Sequence, residues 1–402
     1  MMRRVAVLHH SLNHAGGGER VCLEIIDVLL NMGFRVTLAT IEPTDWAKII
    51  KIFGVKKPPI EEITLLGKTL GSFKRLSIYK RLLSSILIPK LRKNHELIIN
   101  THGDVLIVPC DINYMHFPTF ALRDRGLFFE SDIKYQKSFF WKIYFAPYSL
   151  MEDFAKEITP PKVILTNSKF SAYIIRRFLK RRAIVVYPPV DVVKIMNKVK
   201  KVKREDIVIS IGRIAQDKHY EKIPLIASKT PSHVKFIIMG TRSPETERVI
   251  SEIRRNMKKY NVSKDRVLIL VDVPEEVKIK IMNKAKVFLH AMKCEHFGMA
   301  IVEAMATGLI PVVHKSGGPW FDILDKKQGV YGYAYENVEE ASSYIVAALN
   351  NYNQLVNNVI NRAKYFSREN FRKTISTIIL NYYLKIQGCK YKPNMLIVKQ
   401  NY

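Results

Sequence analysis

This chain of 402 residues is short of acids and of cysteines. Its four cysteines (Cys22, Cys110, Cys294 and Cys389) lie far apart, and no C-x-x-C occurs. That spacing excludes a disulfide framework and a cysteine-based zinc site. No apolar run is long enough to cross a bilayer, and the opening MMRR leads straight into a strand-like segment. The expectation from these two absences is a cytoplasmic protein. No D-x-D appears anywhere, so a diphosphate chelated through that motif to a metal has no support, and no metal is expected. G-x-G-x-x-G and a Walker lysine are missing too, which removes the common dinucleotide and nucleoside-triphosphate fingerprints.

The shortage of acids has its own consequence. Sixty-five Lys plus Arg stand against 36 Asp plus Glu, a formal net charge of +29. Such a surface favours polyanions: phosphorylated substrates, anionic lipid headgroups or nucleic acid. Charge alone does not choose among them. Residues 68–94 carry eight Lys or Arg among Leu, Ile, Phe and Tyr and hold no acid. This is the pattern of a helix lying on an anionic membrane, with cations outward and apolar side chains dipping in. A solvated basic face and an RNA patch are the competing readings, and nucleic acid is the weaker partner.

Length and alternation give the architecture. Four hundred residues exceed one ordinary core, so two domains of similar size are expected. Apolar, β-branched segments RRVAVLHH, FRVTLAT, ELIINTH, INYMHF, KVILTNS and AIVVYP alternate with helical stretches across residues 1–190. A second series, DIVISIG, VKFIIMG, RVLILVD, AKVFLHA and LIPVVH, repeats the rhythm over residues 205–365. Strands and helices in this alternation predict an α/β protein with two doubly wound, Rossmann-like parallel sheets facing across a cleft. The basic stretch 190–205 reads as the connection, and a last helix within 366–402 is expected to cross back to the first domain, followed by a tail.

Four motifs carry chemistry. The first is EHFGMAIVEAMATG, in which Glu295 and Glu303 are separated by seven residues. His296, Phe297 and Gly298 form a turn from which a helix starts, and a helix amino end offers free N–H groups and partial positive charge to an anion. One carboxylate before that end and one beyond it are placed to accept from hydroxyls. An anion flanked by two hydroxyl-rich groups is a nucleotide sugar. The second motif is AGGGER, residues 15–20, where Gly17 and Gly18 let backbone approach a phosphate ahead of a helix.

The third is IGRIAQDK, whose Arg213 and Lys218 leave a strand five residues apart and can neutralise a diphosphate as charge builds on it. The fourth is NYMHFP, which puts His116 at a strand's carboxyl edge, where it can meet a sugar hydroxyl. His9, His10, His14 and His102 are weaker candidates by the same logic. His290 and Lys293 gain interest from lying just before Glu295 as possible sugar or acceptor contacts.

Together these segments resemble glycosyltransferase family 4, retaining sugar-nucleotide transferases of the GT-B fold. GGGERV, YMHFPT, HAMKCEHFG and HKSGGPWFDIL are similar to its dolichol-pathway α-1,2-mannosyltransferase type. The resemblance implies that Glu303 binds the donor ribose, and Glu295 and His116 the transferred sugar. Phe297, Gly298 and Met299 would touch sugar and phosphate through their backbone. Arg213 and Lys218 would hold the diphosphate, with Gly17 and Gly18 closing over it. Glu295, His116, Arg213 and Lys218 would then be the catalytic set. Asp322 stands where many members carry Glu, as it does in the mannosyltransferase-like subset. The implied reaction moves a hexose, mannose from GDP-mannose foremost, onto a lipid-linked (polyprenyl) or other membrane-proximal glycan, with the basic surface holding the protein peripherally on the cytoplasmic membrane face. A sugar-nucleotide epimerase of the same fold and a non-catalytic RNA- or lipid-binding protein on this scaffold are the alternatives.

Overall fold

A computed structural model describes residues 3–55, 58–59, 61–67, 83–104, 109–118, 121, 161–200 and 202–386. The first half holds strands β1 (Arg4–Leu8), β2 (Arg35–Thr40), β3 (Glu61–Thr64), β4 (Leu97–Asn100), β5 (Ile112–Met115), β6 (Val163–Thr166) and β7 (Ile184–Val185). Its helices are α1 (Gly17–Asn31), α2 (Trp46–Phe53), α3 (Ile88–Asn94) and α4 (Lys169–Leu179). The second half holds β8 (Ile207–Ile211), β9 (Lys235–Gly240), β10 (Val267–Val271), β11 (Val287–His290), β12 (Ile310–His314) and β13 (Tyr333–Tyr335). Helices α5 (Val192–Met196), α6 (Ile223–Ser228), α7 (Thr246–Lys259), α8 (Glu275–Lys284) and α9 (Met299–Ala306) accompany them. Helices α10 (Val338–Asn350), α11 (Tyr352–Lys364) and α12 (Arg368–Ile386) complete the series.

The strands pair in parallel throughout both sheets, ordered β3-β2-β1-β4-β5-β6-β7 and β10-β9-β8-β11-β12-β13. The strand order reverses between β1 and β4 in one sheet and between β8 and β11 in the other. Crevices outside the carboxyl ends of strands at such reversals are where doubly wound folds bind ligands. Helices cover both faces, which is why these strands read as continuous apolar runs rather than alternating ones.

Local sequence explains the elements that border the cleft. Helix α1 opens with Gly16 N–H donating to Glu19 at 2.8 Å and closes at Gly33, whose φ of +82° suits glycine. Helix α4 is capped by Ser168, whose hydroxyl accepts from Ser171 N–H at 3.0 Å. Helix α9 starts from Gly298 at φ +99°, a conformation that leaves the helix amino end facing outward.

Each sheet has its own core. Phe236 and Phe288 are buried in the second, so truncating either to Ala costs about 3–5 kcal/mol. Helix α12 lies on the first domain: Phe371, Ile375, Ile379, Tyr382 and Tyr383 join the cluster built by α1, β1 and β2. The chain therefore crosses between domains twice, and the two crossings bond to each other through Arg368 N–H to Val190 O at 2.9 Å. Arg368 also reaches Glu24 at 2.7 Å and Asp191 at 3.5 Å. The basic connection, residues 190–205, contains the short helix α5. Of the basic stretch 68–94, residues 68–82 lie outside the described residues. The remainder forms a 3-10 turn, Leu83–Leu87, and α3.

Candidate active site

Glu295 lies on the loop leaving β11, at the strand-order reversal of the second sheet, and three groups converge on its carboxylate. Lys218 Nζ stands 3.0 Å from Oε2 and also 3.1 Å from Met292 Sδ. His290 Nε2 stands 3.3 Å from the same oxygen, and His296 N–H donates to Oε1 at 3.2 Å. Burial alone would raise this carboxyl, but Lys218 and the two histidines outweigh it and hold it well below the usual range. His290 is pushed down by its own burial, against the pull of Glu295, so it is the neutral partner of a charged pair. The result is a fixed carboxylate beside the amino end of α9.

The turn that carries Glu295 is clamped from behind. Gly318 N–H donates to Glu295 O at 2.8 Å, and Cys294 N–H donates to the Ser316 hydroxyl at 2.8 Å. Gly317 sits at φ +63°, and a Cβ there would meet Glu295 O at 2.3 Å. Only glycine allows two backbone segments to approach this closely. Burial raises the Cys294 thiol, which keeps it protonated and weakly nucleophilic.

Opposite lies the first domain. A Cβ on Gly17 would stand 3.2 Å from Met299 Sδ, and one on Gly18 would stand 3.3 Å from His116 Nε2. The glycine loop is thus wedged between α9 and His116. His116 N–H donates to Asp104 at 2.5 Å, and its ring nitrogen Nε2 lies 3.3 Å from Thr101 O. A ring N–H given to that carbonyl leaves Nδ1 as an acceptor.

Arg20 on α1 reaches Glu303 on α9 across the cleft at 3.5 Å. Phe117 and His296 stack face to face, centroids 3.9 Å apart and rings 2° from parallel. Asp322, fully buried, accepts from Lys169 N–H at 2.6 Å and Phe170 N–H at 3.3 Å, so a side chain of the second domain caps α4 of the first. Burial pushes its carboxyl up to about 6 despite those two donors.

The candidates named from sequence do not all occupy one point. Glu295, Lys218 and His290 converge, with Gly298 and Met299 at the helix end beside them. Gly17, Gly18 and His116 face them across the cleft. Phe297 turns its ring into the aromatic hinge, 5.6 Å from Tyr187 and 5.4 Å from Phe366, leaving only its backbone at the turn. Arg213 is 65% exposed and lies 3.8 Å from Asp217. Lys293 is half-buried on the loop between β11 and Glu295. Glu303 also borders a cavity of about 800 Å³ between α1 and α2 on one side and α5, α8 and α9 on the other. Arg20, Trp46, Lys194, Glu275 and Lys278 line it, and its size is that of a small-molecule site. Sequence reasoning missed Arg20, Phe117 and His296 as partners. Phe117 and His296 were inside quoted motifs, but nothing in the chain says which residues 179 positions apart will stack.

Comparison with known proteins agrees with the two-sheet fold. Residues 191–366 match the sequence model of the glycosyl transferases group 1. The chain is 25% identical to the Dictyostelium discoideum GDP-Man:Man(3)GlcNAc(2)-PP-Dol alpha-1,2-mannosyltransferase, over 64% of this chain and 56% of that one. The enzyme of the same name from Xenopus tropicalis is also 25% identical, over 86% of this chain and 80% of its own length. Among solved structures, Anabaena Alr3699/HepE in complex with UDP and glucose superposes with a TM-score of 0.65. It is 15% identical, and the match covers 95% of this chain and 100% of that one. The chain thus carries a glycosyltransferase domain over residues 191–366, on a GT-B framework, and spans little more than half the length of the Dictyostelium relative.

Proposed function

We propose that this glycosyltransferase moves mannose from GDP-mannose onto a polyprenyl-linked glycan, with retention of anomeric configuration and without a metal on the diphosphate. The observation that carries the reading is the convergence of Lys218, His290 and Glu295 beside the amino end of α9. The cavity bordered by Glu303 lies on the same helix and has room for a nucleoside. The names of the Dictyostelium and Xenopus relatives supply the donor and the lipid-linked acceptor.

In this reading the nucleoside enters the cavity and its ribose hydroxyls replace Arg20 on Glu303. The diphosphate sits over the N–H groups opening α9, with Arg213 and Lys218 beside it. Glu295, held as a carboxylate, accepts from hydroxyls of the transferred sugar, and His116 meets the sugar from the other domain. The bond between the anomeric carbon and the diphosphate oxygen breaks first. The acceptor oxygen then bonds to that carbon from the face the diphosphate leaves, and its proton passes to a donor phosphate oxygen. Donors fixed before reaction supply the electrostatic help that a metal would otherwise give, each worth about 3–4 kcal/mol of barrier. Closure of the two domains keeps water from hydrolysing the donor.

Membrane attachment belongs to the same proposal. Within the described part of the basic stretch, Ile86 is 59% exposed beside exposed Lys90 and Lys93, an arrangement suited to an anionic surface. No helix among the described residues is long and apolar enough to cross a membrane. The test is a melting-temperature panel with GDP-, UDP- and ADP-sugars, followed by NMR of the product linkage. GDP-mannose alone should raise the melting temperature, and the product should be the α-anomer. Stabilisation by another nucleotide sugar, or a β-linked product, would overturn the reading.

A further inference from the structure

The first sheet also has a strand-order reversal, between β1 and β4, and its crevice is lined by histidines that the transfer reaction does not use. His9 and His10 follow β1, and His102 follows β4. Their ring centroids are 5.0 Å (His9–His10), 5.2 Å (His9–His102) and 4.0 Å (His10–His102) apart. One ligand nitrogen from each ring lies within 4.8 Å of the other two. His9 and His10 are buried, and His102 is half-buried, so the trio opens on one side.

The His9 ring is oriented by its neighbours. The Thr101 hydroxyl donates to Leu8 O at 3.1 Å, which leaves its oxygen to accept from His9 Nδ1 at 2.9 Å. With Nδ1 engaged by Thr101, Nε2 is the ring nitrogen that faces Glu19. The separation from Glu19 Oε1 is 3.7 Å. Glu19 is itself fixed, since its second oxygen accepts from Gly16 N–H. The ring and that carboxylate share one positive charge, supplied either by a ring proton or by an ion that replaces it.

We propose that His9, His10 and His102 hold one divalent transition-metal ion of the zinc, cobalt and nickel class, on the first-domain side of the cleft. Neutral imidazoles are the ligands these ions take from proteins, whereas magnesium and calcium prefer oxygen. Three nitrogens around a tetrahedral zinc stand about 3.4 Å apart, so closing on an ion takes rotamer shifts of roughly an ångström. Thr101 supplies the outer hydrogen bond that ligating histidines need to fix their tautomer. The His102 ring lies 6.4 Å from that of His116, which puts the ion beside the sugar-facing side of the first domain rather than at α9. The ion would tie the loop after β1, which leads into the glycine turn, to the loop after β4. The proposal does not depend on the identity of the donor.

The experiment is a titration of chelator-treated full-length protein with Co²⁺ and Zn²⁺, read by visible d–d absorption and by calorimetry. One ion per chain is expected, with a rise in melting temperature. His102→Ala should weaken binding about a hundredfold or more, and Thr101→Val about tenfold or more by removing the outer hydrogen bond. His233→Ala, at an exposed histidine, should change nothing. Should His102→Ala fail to fold, the Thr101 variant still decides. The proposal is overturned if no d–d band forms, or if Zn²⁺ binds the Thr101 variant and the parent alike. A proton on His9 would then be the cation that satisfies Glu19.

Discussion

A single charge pair organises the candidate site, and its members are unequal. Lys218 and Glu295 are each only 17% exposed, so neither charge is comfortable without the other or a ligand. Arg213 is largely in solvent and can move to a substrate at little cost. Lys218→Ala and Arg213→Ala are each expected to lower kcat/KM at least about a hundredfold, the size of one lost charge-stabilising donor. Their melting temperatures should separate them, because only Lys218→Ala strands a buried carboxylate. Near-normal turnover in both variants would remove the diphosphate role. A second residue acts through backbone alone. Gly317→Ala puts a methyl 2.3 Å from Glu295 O at a positive φ. The strain should cost about 1–3 kcal/mol, and turnover should fall with stability because the Glu295 turn must move. An alanine variant with parental melting temperature and turnover would show that the turn tolerates displacement.

At the scale of elements, most of the sheets could be read from the chain, and the exceptions have causes. Eleven β-branched or apolar runs stand out because strands buried on both faces need no polar alternation. Strand β3, EEIT, escapes that rule: Glu61 accepts from Arg4 and Thr37, while Glu62 accepts from Thr40, Thr44 and Trp46. Acids at a sheet edge look like loop until their donors are known. Strand β13 has three residues and follows a glycine, too little to carry a period. The helix start at Gly298 and the glycine loop were legible because close approach to an anion demands small residues. What joins the two domains was not.

The capping of α4 by Asp322 is such a joint, and it titrates. Its native carboxyl sits near 6, above the ordinary 3.8, so between those values the folded protein keeps a proton that the unfolded chain has released. The stability this group contributes is present below about pH 4 and is lost as the pH rises through 6, a change of about 3 kcal/mol. Asp322→Asn keeps an acceptor oxygen for one of the two N–H groups, loses the other at a cost that does not vary with pH, and removes the titration. Its melting temperature relative to the parent should therefore climb between pH 4 and pH 6.5. A constant difference over that interval would mean the carboxylate is already charged in the native state at the lower pH.

For the whole molecule, the arrangement is two sheets whose ligand crevices face each other, tied by contacts that a donor must respect. The Phe117–His296 stack and the Asp322 cap are apolar or buried, and no sugar nucleotide displaces them without opening the domains. The Arg20–Glu303 pair differs. Its side chains are 30% and 23% exposed, and such a pair is worth no more than about 1 kcal/mol in water. It also covers the acid proposed for the ribose. If the nucleoside hydroxyls must displace Arg20, removing that side chain frees Glu303 before binding. Arg20→Ala should then tighten the donor up to about fivefold by calorimetry. Glu303→Gln should loosen it and raise the donor KM more than it lowers kcat. Donor binding that weakens in Arg20→Ala would mean the guanidinium itself reaches the diphosphate, and the two helices α1 and α9 would then grip the donor from both sides.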